Sequence, residues 1–282
     1  MSEPLRTLRL GLIGGNITAT RSPALHVVCG LSLGVNVTYD LIIPAERGLG
    51  FAELLAQCER LGFAGVNVTY PHKEEAAALV LAGDPVVQAM GSSNTVLFTP
   101  EGPRAFNTDH SGFVAAYRAA FGKRAPGRVL VLGTGGVGRA VGFGLADLGA
   151  SEIVLHDTDL AKVASLAAAI RGHAAVAVSA AETTCLHTLA GIDGVVNCTP
   201  LGMIGRPGSA LPEGVTGRPV WAFDAVYTPA DTPFRAQVTG LGAAFLGGYE
   251  LYFHQGLRAF EIFSRQTVSA HDWVRATLNY RT

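Results

Sequence analysis

The chain has 282 residues, 49% of them apolar, and balances 21 basic against 22 acidic side chains for a formal charge of −1. That length suits two α/β domains of ordinary size, and with no long Lys/Arg run the chain lacks an electrostatic footprint for nucleic acid. Gly, Pro, Arg or Asp interrupts every apolar stretch before the roughly 20 residues that span a bilayer, and the N-terminus lacks a charged-then-apolar leader, so the expectation is a cytoplasmic protein without a membrane partner. Cys29, Cys58, Cys185 and Cys198 are far apart and are expected as buried thiols; the eight histidines are equally scattered, and no metal is expected.

In chain order, apolar runs predict strands at 9–14, 37–44 and 65–69, and a pair at 94–98 and 104–107 joined by the turn Thr99-Pro100-Glu101-Gly102-Pro103. The pair is expected as a hairpin at one edge of the first sheet. Between these runs, helical spacing marks 23–33, opened by Ser22-Pro23, then 51–61 and the alanine-rich stretch 73–81. A helix over 110–121 is expected as the hinge to a second domain. There, strands at 129–132, 152–157, 174–178, 194–198, 220–226 and 243–246 enclose helices after Gly138 and over 160–170, the rhythm of a doubly wound sheet. A long helix over 249–265 and a segment over 270–279 would return to complete the first domain.

Gly133-Thr134-Gly135-Gly136-Val137-Gly138 follows the strand Val129 to Leu132 and precedes Asp157 by 19 positions from its last glycine. Glycines without Cβ let a backbone approach a pyrophosphate, and the N-terminus of the following helix offers free N–H groups to its charge. In this βαβ context Gly133, Gly135, Gly136, Val137 and Gly138 read as a dinucleotide cradle. Asp157, at the tip of the second strand, would accept hydrogen bonds from the ribose hydroxyls of NAD and repel the extra phosphate of NADP. No arginine follows to rescue that phosphate, since Thr158, Asp159 and Leu160 come next. Asp159 reads instead as the cap of the next helix.

The polar residues of the first domain crowd its strand ends: Asn67, Thr69, Lys73, Ser92, Ser93, Asn94, Thr95, Asn107 and Asp109. Such a cluster suits a small hydroxyl-rich ligand. Pro71 is placed to start the helix that carries Lys73 in its first turn, where the partial positive charge of a helix N-terminus disfavours a second cation. That is a setting in which a lysine becomes a general acid/base, given an acid partner such as Asp109. The bland alternatives are that Lys73 pairs with Glu74 or Glu75 and that Asp109 caps a helix.

Taken together, Thr20-Arg21-Ser22-Pro23-Ala24-Leu25-His26, Gly65 through Lys73, Gly91-Ser92-Ser93-Asn94-Thr95, Asn107-Thr108-Asp109, Asn197-Cys198-Thr199-Pro200-Leu201-Gly202-Met203 and Gly248 through Gln255 resemble the shikimate/quinate dehydrogenase family. The motifs recur in order from near residue 9 to near residue 265. The resemblance implies an N-terminal α/β substrate domain over 1–110, completed by 249–282, plus a Rossmann doubly wound dinucleotide-binding domain over 111–248. It implies an oxidoreductase of the shikimate pathway of aromatic amino acid biosynthesis, which oxidises the C3 hydroxyl of shikimate or quinate with hydride transfer to NAD, as a monomer or homodimer. In family terms Lys73 and Asp109 are the catalytic pair. Thr20, Ser22 and Tyr227 fall at positions that bind the substrate carboxylate, Thr69, Asn94 and Gln255 at positions that bind ring hydroxyls, and Thr199, Met203 and Gly248 at the nicotinamide end.

This chain departs from the family pattern at Thr20, where serine is usual, at Val27, where asparagine is usual, and at Leu251-Tyr252 in place of Met-Leu. These changes leave shikimate, quinate and a related analogue such as aminoshikimate open, as well as a non-catalytic ligand and dinucleotide sensor. Retention of both Lys73 and Asp109 argues for chemistry.

Overall fold

The structure, a computed structural model, describes residues 6–15, 17–18 and 20–278. The described residues fall into two compact units, one running to Thr108 and resuming at Gln255, the other spanning Asp109–His254.

The first unit begins with β1 (Thr7–Ile13), α1 (Ser22–Ser32), β2 (Asn36–Ile42), α2 (Pro44–Arg47), α3 (Phe51–Arg60), β3 (Gly65–Val68) and α4 (Lys73–Leu79). It continues through β4 (Leu81–Ala82), α5 (Pro85–Met90), β5 (Thr95–Leu97) and β6 (Arg104–Phe106). Its sheet has the order β2-β1-β3-β5-β6-β4; β1 pairs in parallel with β2 and β3, while β5 is antiparallel to both β3 and β6. The hairpin β5–β6 exists, but it is not the sheet edge. The helix expected over 73–81 stops after Leu79 because Val80 turns extended, and Leu81, with Ala82, pairs in parallel with Arg104 and Ala105 outside the hairpin.

Pro71 does not open α4 either. It follows a cis peptide bond with Tyr70, and His72 occupies the N-cap of a helix whose first residue is Lys73. Three helices, α2, α5 and the helix Pro233–Gly240, lie outside the expected ones, and the boundary chemistry of the latter two is conventional. Asp84 accepts the Val86 N–H at the start of α5, which Gly91 ends in the left-handed region at φ 62°. In the second unit Thr232 caps the helix Pro233–Gly240 by accepting the Arg235 N–H.

The second unit holds α6 (Thr108–Phe121) from Asp109 onward, then β7 (Arg128–Leu132), α7 (Gly136–Asp147), β8 (Glu152–His156), α8 (Leu160–His173), β9 (Ala177–Ala180) and β10 (Gly194–Asn197). A short 3-10 turn at Thr183–His187 carries Cys185, which is exposed, contrary to the buried thiol expected there. After β11 (Trp221–Asp224), α9 (Pro233–Gly240) and β12 (Ala244–Gly247), α10 (Gly248–Ser264) and α11 (His271–Thr277) close the chain, Asn279 lying outside the described residues. The sheet order β12-β11-β10-β7-β8-β9 is parallel throughout, so the strand order reverses between β7 and β10. In such sheets ligands bind outside the carboxyl ends of the strands at that switch point.

Because helices cover both faces of a parallel sheet, its central strands are buried on both sides, and β10 and β11 are buried at every residue. Phe113, Tyr117 and Phe121 recur at helical spacing on α6 and meet Phe223 and Trp221, with Tyr117 and Trp221 rings edge-on at 5.0 Å. The helix expected as a hinge is thus packed into the second unit. Gly194 makes room for the Trp221 indole, since a Cβ there would lie 2.3 Å from the ring. Trp221 Nε1 donates to the Pro126 carbonyl at 2.9 Å. Among the described residues no helix is long and apolar enough to cross a membrane.

Trp221→Ala should lower unfolding free energy by about 3–5 kcal/mol, through the cavity and the abandoned Pro126 carbonyl. Urea titration followed by circular dichroism measures it; a loss under about 1 kcal/mol would mean α6 is not held by this cluster.

Candidate functional site

In the first unit, the expected polar cluster is a connected network. Asn94, at the entrance to β5, is buried, and its carbonyl Oδ1 accepts the Thr108 N–H at 2.7 Å and the Thr95 hydroxyl at 3.0 Å. The Asn94 backbone carbonyl accepts the Val68 N–H at 2.8 Å, which ties β5 to the end of β3. Asn67 Nδ2 donates to Thr95 Oγ1 at 3.1 Å, and Tyr39 from β2 donates its hydroxyl to Asn67 Oδ1 at 2.9 Å. Thr108 Oγ1 reaches Gln255 Oε1 at 3.3 Å, bringing the start of α6 and the middle of α10 together.

Lys73 joins the same framework through its backbone, whose carbonyl accepts the Ser93 N–H at 2.8 Å. Thr69 is held one strand over, where its N–H donates to the Ile13 carbonyl at 3.0 Å. Thr20 and Ser22 meet at the start of α1, with their hydroxyl oxygens 3.1 Å apart. Thr20, Ser22, Thr69, Lys73, Asn94 and Gln255 therefore all lie in the first unit, and Asp109 follows directly on the buried Thr108 in the first turn of α6.

The second unit carries the glycine loop between β7 and α7. Gly133 sits at φ 92°, a conformation that favours glycine, and a Cβ on Gly138 would fall 1.9 Å from the Gly133 carbonyl oxygen. Gly135 borders open space and, with Gly136 and Val137, forms the start of α7, so a pyrophosphate could approach the N–H groups there. The residues present fit a dinucleotide.

Asp157 stands beside this loop and grips it. Its Oδ2 accepts the Thr134 N–H at 2.7 Å and the Thr134 hydroxyl at 3.0 Å, while Oδ1 accepts the Asp159 N–H at 3.0 Å. Partial burial opposes its ionisation, but these donors outweigh that and hold the carboxyl below its ordinary range. Asp159 caps α8 by accepting the N–H groups of Ala161 and Lys162.

Across the switch point, Asn197 at the end of β10 accepts both the N–H and the hydroxyl of Thr199, at 3.0 and 2.7 Å, and donates to Asp224 Oδ1 at 2.9 Å. Asp224, wholly buried at the end of β11, also accepts the Val226 N–H and the Thr232 hydroxyl. This carboxylate secures the loops that carry Thr199 and Tyr227. Sequence reading missed it, although an acid ending the apolar strand Trp221-Ala222-Phe223 and followed by Thr232-Pro233 was the available signal. Burial pushes Asp224 up to about 6, against hydrogen bonds from Thr232, Val226 and Asn197 that lower it. Tyr227 stacks on Tyr252 with centroids 5.4 Å apart, so the departure at Tyr252 supplies a ring that supports it. Met203 is 46% exposed, and Gly248 is crowded, a Cβ there lying 2.4 Å from the Ala225 carbonyl oxygen.

Residues 12–96 match the shikimate dehydrogenase substrate-binding domain. A quinate/shikimate dehydrogenase (NAD(+)) of Corynebacterium efficiens is 33% identical over 266 residues, covering 92% of this chain and 93% of its own. The chain belongs to the shikimate/quinate dehydrogenase family. Within that family a shikimate dehydrogenase (NADP(+)) of an Arthrobacter species is also 33% identical, over 94% of this chain and 92% of its own. The quinate dehydrogenase of Corynebacterium glutamicum, solved in complex with NAD, superposes with a TM-score of 0.90 at 30% identity, covering 98% of this chain and all of that one. Shikimate/quinate dehydrogenases of similar identity are thus named for either cofactor, and both units of the fold are shared.

Because the Asp224 carboxyl binds its proton more tightly folded than unfolded, its contribution to stability is complete below its unfolded value near 3.8 and is lost as pH rises through about 6. Asp224→Asn, which retains an acceptor for the Val226 N–H, should flatten the decline in melting temperature between about pH 4 and 6. Thermal melts of both proteins across that range measure it; parallel curves would sink the assignment.

Proposed function

We propose that this chain is a dehydrogenase that reversibly oxidises the C3 hydroxyl of shikimate or quinate to the 3-dehydro ketone with NAD. The observation that carries the reading is the network joining Lys73, through Ser93, to Asn94, Thr108 and Gln255, which gathers the family's ligand positions at one group of strand ends. The first unit would hold the hydroxyacid and the second the dinucleotide, with Gly133, Gly135, Gly136, Val137 and Gly138 against the pyrophosphate.

Bound nicotinamide supplies the hydride acceptor. Lys73 would take the proton of the reacting hydroxyl as its C3–H bond breaks and return it in the reverse direction, and Asp109 would orient that ammonium and polarise the hydroxyl. Thr20, Ser22 and Tyr227 would bind the substrate carboxylate, Thr69, Asn94 and Gln255 the ring hydroxyls. Thr199, Met203 and Gly248 would line the nicotinamide end. Asp157, held ionised by Thr134 and Asp159, supports NAD over NADP, because a fixed carboxylate at the ribose would repel a 2′-phosphate and Thr158, Asp159 and Leu160, not an arginine, follow it in sequence.

Lys73→Ala should lower kcat by about 100- to 10,000-fold while leaving the melting temperature nearly unchanged. Steady-state assays with shikimate and quinate read this, and wild-type turnover in the folded variant would reject Lys73 as the proton carrier. Asp157→Ala should cut the NAD over NADP ratio of kcat/KM by about tenfold, the equivalent of ~1.4 kcal/mol. An unchanged ratio would place cofactor choice elsewhere.

A further inference from the structure

Tyr252 is one of the positions at which this chain departs from the usual pattern of its family, and its surroundings give the ring a task. On α10, Gly248 and Tyr252 are four residues apart and share one face, and both meet the loop that leaves β11. At Gly248 the approach is so close that a Cβ would lie 2.4 Å from the Ala225 carbonyl oxygen. One turn further on, Tyr252 stacks on Tyr227 with ring centroids 5.4 Å apart and planes 22° from parallel. Backbone bonds hold the same loop up to Val226: the Ala225 N–H donates to the Asn197 carbonyl at 2.8 Å, and the Val226 N–H to Asp224 Oδ1 at 3.0 Å. Thr228 and Pro229, which follow Tyr227, are exposed.

Tyr252 is itself held by rings of its own helix. Its centroid lies 5.8 Å from that of Tyr249, which is 6.1 Å from Phe253, and all three side chains are buried. A rotamer change at Tyr252 would open a gap in this row, so its ring offers Tyr227 a fixed, flat surface. A leucine at this position, as in the family pattern, would fill the space without presenting a plane to stack on.

We infer that Tyr252 is a positioning residue for the substrate carboxylate: acting through Tyr227, it holds that phenol in one orientation, so that the hydroxyl meets the carboxylate already ordered. The inference rests on the reading of Tyr227 as a carboxylate ligand. A Tyr227 ring free to turn would spread its hydroxyl over several directions, and binding would then cost the entropy of selecting one. The carboxylate does not react, so that cost is equal in the ground and transition states; it enters KM and leaves kcat unchanged. A ring that only fills the core would instead lower the melting temperature and leave KM alone.

The test is a double-mutant cycle on the intact enzyme at saturating NAD, with shikimate and quinate as substrates and a thermal melt of every variant. Tyr252→Leu should raise KM for the hydroxyacid at least about fivefold with kcat within about twofold, whereas Tyr252→Phe, which keeps the ring, should stay within about twofold of wild type. Tyr227→Phe should raise the same KM, and in its background Tyr252→Leu should add less than about twofold, because the hydroxyl it positions is gone. A wild-type KM in Tyr252→Leu would overturn the inference. So would effects of the two substitutions that multiply, or a Tyr252→Phe enzyme as impaired as Tyr252→Leu. If Tyr252→Leu does not fold, Tyr252→Met takes its place in the cycle. An unchanged KM in Tyr227→Phe, or failure of the wild-type enzyme to turn over either acid, removes the functional reading and this inference with it, whereas a raised KM in Tyr227→Phe without one in Tyr252→Leu removes the inference alone.

Discussion

The hydrogen bond from the Thr108 N–H to Asn94 Oδ1 is the constraint on which the first unit's polar network depends. It is made by a backbone group at the first residue of α6 and a side chain at the mouth of β5, both buried, so neither partner has water as a substitute. On one side Thr95 links it to Asn67 and then to Tyr39, and on the other the Thr108 hydroxyl links it to Gln255 from α10. The Ser93 bond to the Lys73 carbonyl adds α4 to the same frame. A ligand meeting this surface encounters side chains whose polarity was set before it arrived, which is how a site discriminates between groups of nearly equal size.

The second unit solves a related problem with the same residue type. Asn197 ends β10 as Asn94 opens β5, and it also uses a buried amide to join a neighbouring strand end to a loop. The difference is that its partner is a carboxylate. Burying Asp224 raises its proton affinity, and the bonds from Thr232, Val226 and Asn197 are what keep that burial tolerable. On the opposite side of the switch point, Asp157 does for the glycine loop what Asp224 does for the loops after β10 and β11, but half in solvent and with its carboxyl shifted the other way. Two acids at strand ends of one sheet are thus pushed in opposite directions, because Asp224 is wholly buried and Asp157 only half so.

What could be read from residues alone follows from how local each signal is. The glycine loop, its flanking strands and the capping role of Asp159 depend on neighbours within about two turns of chain, and backbone sterics there leave few alternatives. The hairpin was legible for the same reason. Its place in the sheet was not, because Leu81 and Ala82 have helix-compatible side chains and become a strand only by pairing with Arg104 and Ala105 more than 20 positions away. Helices α5 and α9 were missed in spite of Asp84-Pro85 and Thr232-Pro233, start signals that local reasoning was entitled to use. The exposed Cys185 shows the limit of a rule drawn from residue type.

By itself the sequence determined two α/β domains, a dinucleotide loop followed by an acid at the next strand tip, a family, and a set of polar residues clustered at strand ends. Each of these rests on spacing or on a motif, and both are properties of the chain before it folds. Only the tertiary structure decided which atom of Asn94 is engaged, that Asp224 is the hidden support of two loops, and that Tyr252 braces Tyr227. The physical reason is that a side chain's polarity and proton affinity are set by the groups that surround it, and at these three positions most of those groups come from distant segments of the chain.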